Sequence, residues 1–110
     1  MPIVENAALE DRKRSDIRKA EDLIPIITDL FTRLVDDPHS LTVEFERFER
    51  NHEECSRILV IVAKSEFGRA IGKEGRLATS IRTITGALAG KYKLGSVFME
   101  VLNREDYYDE

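Results

Sequence analysis

The first regular pattern of apolar positions begins near Asp22. From there on, apolar residues recur at intervals of three and four, which is the spacing of a helix with one core-facing side. Asp22 is placed to cap the first turn, and Pro25 falls inside that turn, where a missing N–H costs little. The sequence Asp36-Asp37-Pro38 ends the helix, because the residue before proline disfavours helical geometry. The apolar positions are Leu23, Ile26, Ile27, Leu30, Phe31 and Leu34.

The next two segments have the composition of β-strands. Over Thr42–Arg50, Val43 and Phe45 alternate with acidic residues, and Phe48 breaks this alternation, which predicts a bulge or a local twist. The polar residues 51–56 suit the loop of a hairpin. Arg57–Ala63 contains a continuous aliphatic run, which is typical of a central strand covered on both faces.

Two helices and a last strand complete the pattern. A short helix is predicted over Lys64–Ile71, with Ser65 as its cap, and a longer one over residues 76–91. The last strand is predicted over residues 97–102. Because helices join the second and third strands, these strands should be parallel, with a right-handed connection. We therefore expect an α+β fold of order α-β-β-α-α-β, a three-stranded mixed sheet with helices on one face.

The two ends of the chain differ from this middle part. Residues 1–20 alternate acidic and basic side chains without a sustained apolar stripe, which predicts an exposed helix or a mobile extension. Residues 21–103 are predicted to form the folded domain. Residues 104–110 are charged, contain Tyr107 and Tyr108, and are predicted to be a loose acidic tail.

Composition indicates the setting in which this domain works. A chain of 110 residues is expected to form one domain, and its single cysteine, Cys55, permits no intrachain disulfide. There is no apolar run long enough for a membrane span and no signal-peptide pattern in the first 20 residues. We therefore expect a cytoplasmic protein without a membrane partner.

Charge is distributed unevenly along the chain. The formal net charge is −4, yet residues 64–93 contain seven basic and two acidic side chains, a local charge of +5 that leaves −9 for the rest. An acidic body with a local basic patch can bind phosphates and still resist non-specific association. The alternative is a solvated helix face with no ligand.

The basic segment contains the most specific motif in the chain. Gly72 and Gly75 enclose Lys73 and Glu74, and a predicted helix follows directly. Glycines allow a tight turn and close backbone approach to another molecule. A helix that begins at such a turn directs unpaired N–H groups outward, which favours a bound phosphate. Two glycines at this spacing also occur in ordinary turns between helices.

The order of elements together with this motif resembles the KH domain, in the short bacterial form of its type II fold. The resemblance is closest to the KhpA family of small single-KH RNA-binding proteins and covers about residues 22–103. It is carried by Leu34-Val35-Asp36-Asp37-Pro38, by Ile71-Gly72-Lys73-Glu74-Gly75-Arg76, and by Ala78 with Ile81-Arg82-Thr83. In this family the Gly-x-x-Gly loop clamps the backbone of about four nucleotides of single-stranded nucleic acid.

The resemblance implies an RNA-binding site around the loop. Its members, carried over position by position, are Gly72, Lys73, Glu74 and Gly75, with Arg76 and Arg69 extending the phosphate path and Ile71 and Leu77 as an apolar floor or as core. Glu74 is expected to repel phosphate unless it points outward. The resemblance further implies an RNA chaperone or post-transcriptional regulator of low sequence specificity.

The remaining signals predict neither catalysis nor a cofactor. Glu74 stands where a phosphate-binding P-loop needs Ser or Thr, and His39 and His52 have no ligand at metal-binding spacing. Cys55 has no histidine nearby to activate it. An enzyme is therefore not expected, and no metal or cofactor is predicted.

Two functional hypotheses remain. The first is binding of single-stranded RNA. The second is a protein-interaction module that forms a homodimer, or a heterodimer with a second KH-domain protein, with secondary RNA binding and a role in cell elongation and division implied by the resemblance. An unpaired sheet edge, Thr42–Arg50 or Val97–Leu102, is the predicted site of association.

Overall fold

The structure, a computed structural model, describes residues 17–108. Residues 1–16 of the predicted extension therefore lie outside the described residues. Of the other four, Ile17 packs partly buried against the hydrophobic core and Ala20 is buried within it. The packed part of the chain thus includes the end of the segment that was predicted to be exposed.

The described residues form four helices and three strands, joined in part by short 3₁₀ turns. None of these helices is long and apolar enough to cross a membrane. The 3₁₀ turns are Ala20–Leu23, Pro38–Ser40 and Lys73–Gly75. The elements are α1 (Ile24–Leu34), β1 (Thr42–Arg50), β2 (Glu53–Val62), α2 (Lys64–Ile71), α3 (Arg76–Lys91), β3 (Ser96–Asn103) and α4 (Arg104–Tyr108).

The three strands form one mixed sheet in the order β1-β2-β3. β2 pairs antiparallel with β1 and parallel with β3, so both β1 and β3 are edge strands. One face of β2 and β3 packs against α1, α2 and α3 to form the core. The predicted α+β fold, its order α-β-β-α-α-β, its mixed sheet and the helices on one face are confirmed. The central core side chains are Phe31, Ile58, Val60, Val62, Ala70, Ile81 and Met99.

The start of the first helix differs from the prediction. Asp22 is not the N-cap, because a 3₁₀ turn capped at Lys19 precedes α1. The Asp22 carboxylate instead reaches backward and accepts from the backbone N–H groups of Arg18 (2.8 Å) and Lys19 (3.0 Å). These two hydrogen bonds stabilise the ionised form and lower the pKa of Asp22. Pro25 lies in the first turn of α1, as predicted.

The predicted bulge at Phe48 is wrong. β1 and β2 pair without interruption, with Phe48 opposite Cys55. Phe48 is out of phase because it lies on the sheet face turned away from the three core helices. There its ring lies 5.9 Å from that of Phe98, and the Arg57 guanidinium lies 4.3 Å above it. Contacts with the neighbouring aromatic and cationic side chains thus stabilise Phe48 on this outer face of the sheet.

The loop between β1 and β2 is shorter than predicted. β2 begins at Glu53, so only Asn51 and His52 connect the strands. Both have positive φ, 53° and 67°, as the tightest hairpin turns require. Asparagine and histidine are among the non-glycine residues that adopt this region most readily. The connection that was predicted to span six polar residues is therefore a turn of two residues.

A buried carboxylate ties the turn after α1 to the start of α2. Glu66 is only 5% exposed. It accepts from the backbone N–H groups of Asp36 (3.1 Å) and Asp37 (2.6 Å). Two hydrogen bonds to an anion compensate for its burial. The helix begins at Lys64, as predicted, but its N-cap is Ala63, two residues before the predicted cap Ser65, and no side-chain hydrogen bond caps it.

The segment predicted to be a loose tail is helical over residues 104–108. Arg104 donates to the Ser40 carbonyl and to Thr42 Oγ1, and both Tyr107 (2.8 Å) and Tyr108 (3.1 Å) donate to the Glu44 carboxylate. These hydrogen bonds to Glu44 stabilise the protonated phenols and raise the pKa of both tyrosines. Contacts between residues more than sixty positions apart therefore hold this short helix, and local sequence does not reveal them.

We predict that Glu66→Ala destabilises the protein although alanine favours helix. The change leaves the N–H groups of Asp36 and Asp37 without their acceptor, which costs about 1–3 kcal/mol. Urea unfolding followed by circular dichroism measures this loss. The matched control is the exposed neighbour Ser65→Ala, for which a change within about 0.5 kcal/mol is expected. Equal stability of the two variants would show that the Glu66 hydrogen bonds do not hold the turn.

Candidate nucleic-acid interface

The loop between α2 and α3 begins at a glycine that no other residue could replace without strain. Gly72 N–H donates to the Gly68 carbonyl (2.9 Å) and ends α2. Its φ of 77° and ψ of 175° lie in a region that is essentially restricted to glycine. A Cβ at this position would lie 2.6 Å from Cβ of Leu77. The chain therefore reverses in direct contact with the first turn of α3.

The second half of the loop is also left-handed. Glu74 has φ 57° and ψ 25°, and Gly75 has φ 73° and ψ 10°. Gly75 N–H donates to the Gly72 carbonyl (3.0 Å), which closes the turn. A Cβ at Gly75 would meet nothing within 4 Å, so this side of the loop faces open space.

The N-terminus of α3 is available to an anion. Gly75 occupies its N-cap position and has no side chain to offer, and no side-chain hydrogen bond caps the helix. The first N–H groups of this 16-residue helix therefore lack a side-chain acceptor. They point toward the loop, where the helix dipole also favours negative charge.

The charged side chains of the loop differ in whether they form an ion pair. The Lys73 side chain is exposed and makes no ion pair or hydrogen bond within the described residues. Glu74 lies 2.7 Å from Arg76, so the carboxylate that was expected to repel phosphate is balanced by its neighbour. Both partners of this pair are mostly exposed, and such pairs contribute only about 0–1 kcal/mol. Arg76 can therefore exchange Glu74 for a phosphate at little cost.

Arg69 and Ile71 lie on the helix before the loop and have different surroundings. Arg69 Nε is 3.1 Å from Asp36 and 3.8 Å from Glu66, so its charge is compensated at the turn after α1. Ile71 is half-buried and does not belong to the core cluster, whereas Leu77 packs partly buried against that cluster. The predicted residues from Ile71 to Arg76 thus form one continuous segment at the end of α2 and in the loop. Arg69, by contrast, is directed toward Asp36.

Charge pairing reduces the basic patch of residues 64–93 to fewer uncompensated cations. Lys64 lies 3.7 Å from Glu105, and Arg69 and Arg76 have the acidic partners described above. The other four basic residues have no acidic partner among residues 17–108. They are Lys73, Arg82, Lys91 and Lys93.

Sequence reasoning missed the positions of Arg82 and Glu66. Arg82 was counted in the basic patch but not assigned to the site, yet its Nε donates to the Met99 carbonyl of β3 (3.1 Å). Nothing in the local sequence indicates this contact between α3 and an edge strand. The burial of Glu66 could have been predicted, because it lies one helical turn before the buried Ala70 and so faces the core.

The fold and the glycine loop together define a type II KH domain. The family model for the KhpA/KhpB KH domain matches residues 25–101, well over half of the chain. This chain therefore belongs to the KhpA/KhpB KH-domain family. The KH domain is a non-enzymatic RNA-binding domain, so membership assigns the chain a general role in RNA binding. No curated protein and no solved structure matches it.

The two loop glycines are predicted to differ in their tolerance of alanine. Gly72→Ala adds a steric conflict with Leu77 to an unfavourable backbone geometry, and should lower the free energy of unfolding by about 2–5 kcal/mol. Gly75→Ala meets no neighbouring atom and should cost only about 1–2 kcal/mol, from its left-handed backbone. Urea denaturation of both variants measures the difference. Equal losses would show that the contact between Gly72 and Leu77 does not constrain the loop.

Proposed function

We propose that the chain binds single-stranded RNA with the Gly72–Gly75 loop. The observation that carries the proposal is the juxtaposition of three features: a left-handed glycine loop, the uncapped N-terminus of α3 and an unpaired Lys73. The N–H groups of the first turn of α3 donate hydrogen bonds to a phosphate, and Lys73 adds a full positive charge beside it. Arg76 extends this path when it leaves Glu74.

The bound RNA lies in a groove formed by the loop, its flanking helices and the edge strand β3. α3 packs against β3, so the two elements lie side by side next to the loop. Ile71, half-buried and outside the core, supplies apolar surface at the loop end of this groove. A groove of this kind holds about four nucleotides.

The side chains around the loop favour low sequence specificity. Phe67, the aromatic residue nearest to the loop in sequence, packs partly buried against the core and is not available as a stacking platform. Without aromatic stacking, phosphate contacts dominate the affinity, and these do not distinguish one sequence from another. This suits an RNA chaperone or a post-transcriptional regulator that acts on many RNAs in the cytoplasm.

Lys73→Asp is predicted to weaken RNA binding at least tenfold, which is about 1.4 kcal/mol, without unfolding the protein. The variant replaces the free cation with an anion beside the phosphate. Fluorescence anisotropy with a single-stranded RNA at several salt concentrations measures the effect. If three or four phosphates are neutralised, log K of the wild-type protein should fall with log salt at a slope of about −2 to −3.

The matched control for this variant is Arg50→Asp. It makes the same change in charge at an exposed residue of β1, on the sheet face where Arg50 lies 5.9 Å from the ring of Phe98. It should retain wild-type affinity. Unchanged affinity of a folded Lys73→Asp variant, or binding that does not depend on salt, would refute a phosphate-led mechanism at this loop.

We also propose that the chain associates with a second copy of itself or with a second KH-domain protein. Ile84 of α3 is 51% exposed, and Tyr92, about two helical turns further on, is 38% exposed, so this side of the helix carries apolar surface that a protein partner would cover. The sequence predicted association at one of two sheet edges, Thr42–Arg50 or Val97–Leu102, and at the second of these Arg82 occupies the Met99 carbonyl. The exposed side of α3 is a further candidate for the contact, beside the edge strand β1.

Ile84→Glu is predicted to convert a dimer into a monomer, because it places a charge in an apolar contact. The control Thr79→Glu adds the same charge to an exposed position of the same helix and should remain dimeric. Light scattering across micromolar protein concentrations measures the mass. A wild-type protein that is strictly monomeric and captures no KH-domain partner would contradict the proposal.

A further inference from the structure

We infer that Tyr108 is a phosphorylation site, and that a phosphate on its hydroxyl releases α4 from the sheet. The inference does not depend on RNA binding and adds a regulatory modification to the domain. The family match ends at residue 101, so α4 (Arg104–Tyr108) lies outside the part of the chain that the match covers. The switch is therefore a feature of this chain beyond the matched domain.

The helix α4 lies across the outer face of the sheet, which is turned away from α1, α2 and α3. It contacts β3 and β2, and Arg104 reaches β1, where it donates to Thr42 Oγ1 (3.2 Å). Because side chains alternate between the faces of a strand, Leu59 and Ile61 of β2 point to this outer face. They are nevertheless only 5% and 0% exposed. We call these two residues the apolar strip, and α4 helps to cover it.

One carboxylate holds the end of α4 against β1. Both tyrosine hydroxyls donate to Glu44, Tyr107 to Oε1 (2.8 Å) and Tyr108 to Oε2 (3.1 Å). Within residues 17–108, no basic side chain forms an ion pair with Glu44. The contact therefore depends on two phenol protons, each donated to an oxygen of the same anion.

Tyr108 is the tyrosine of this pair that an enzyme can reach. It is 56% exposed, whereas Tyr107 is half-buried. A tyrosine kinase transfers the γ-phosphoryl group of a nucleoside triphosphate to Oη. A P–Oη bond forms, the bond to the β-phosphate oxygen breaks, the nucleoside diphosphate leaves, and the phenol proton passes to the base of the kinase.

Phosphorylation replaces the attraction between Tyr108 and Glu44 with repulsion. It removes the proton that Glu44 accepts and adds about −1.5 to −2 charges at pH 7. This charge is placed beside the Glu44 carboxylate, and Glu105 and Asp106 of the same helix are also acidic. A phosphate next to acidic side chains disrupts the contact in which it lies. We therefore expect α4 to leave the sheet and to expose the apolar strip.

Arg104 is the cation that could oppose this release, because it lies one helical turn before Tyr108. The Ser40 carbonyl and Thr42 accept hydrogen bonds from its Nη2, which hold the guanidinium at the start of β1. Glu44 lies two residues beyond Thr42, about 7 Å further along the strand. Direct contact with the phosphate would draw Arg104 away from partners that also hold α4.

The test uses the full chain with phosphotyrosine incorporated at position 108 during translation. Backbone ¹⁵N relaxation gives the order parameters of residues 104–108. Phosphorylation should lower them from about 0.85, the value of a rigid backbone, to below about 0.6. The control carries the same modification at Tyr92, which is 38% exposed at the end of α3, and should leave residues 104–108 ordered. Retained order in the chain phosphorylated at Tyr108, as expected if Arg104 binds the phosphate, would overturn the inference.

Glu44→Gln identifies the cause of the release. The glutamine amide is neutral and can donate to a phosphate, so phosphorylation of Tyr108 in this variant should lower the order parameters much less than in the wild-type chain. The unphosphorylated variant is its reference. An equal loss of order in both phosphorylated chains would overturn the inference, because the release would then not depend on the Glu44 carboxylate.

Incubation of the folded chain with ATP and a purified broad-specificity tyrosine kinase tests whether Tyr108 is accessible. Mass spectrometry of the C-terminal peptide should find phosphate mainly at Tyr108, and phosphate mainly at Tyr107, or none, would contradict the assignment. The same peptide from chain isolated from growing and from stationary cells should carry this phosphate in at least one of the two. Its absence from both would overturn the assignment of Tyr108 as a phosphorylation site.

Discussion

The contact between Gly72 and the first turn of α3 is the constraint on which the candidate site depends. The chain reverses between α2 and α3 with no room for a Cβ, since that atom would lie 2.6 Å from Cβ of Leu77. This reversal places Gly75 at the N-cap of α3 and leaves the start of the helix without a side-chain cap. It also places Lys73 at the exposed tip of the turn. The packing of Gly72 against Leu77 and the proposed phosphate site therefore depend on the same turn.

Charge compensation among the described residues leaves only part of the positive charge of the basic segment unpaired. Glu66 and Asp36 engage Arg69, and Glu74 engages Arg76, so the basic segment has less free charge than its composition indicates. Lys73 keeps its full charge next to the helix N-terminus. Among residues 17–108, Arg82, Lys91 and Lys93 also lack an acidic partner, but of these four cations only Lys73 lies in the loop beside the N-terminus of α3.

The elements and the loop were predictable because their signals are local. Apolar periodicity locates the core helices, and the spacing of Gly72 and Gly75 marks the loop. The bulge at Phe48 was wrongly predicted because alternation assigns every apolar residue to the core face, whereas this one packs with Phe98 on the other face. The partners of Arg82 and Tyr107 are distant in sequence, so only the folded chain reveals them.

Amide chemical shifts of the ¹⁵N-labelled chain, recorded during titration with a short single-stranded RNA, locate the surface that binds RNA. We predict that the largest changes occur over residues 72–78, where the loop and the first turn of α3 are proposed to meet the phosphate. The N–H groups of Gly75 and Leu77 should move further than those of the sheet face that carries Phe48 and Phe98. Changes concentrated on that sheet face, with the loop unaffected, would contradict this prediction.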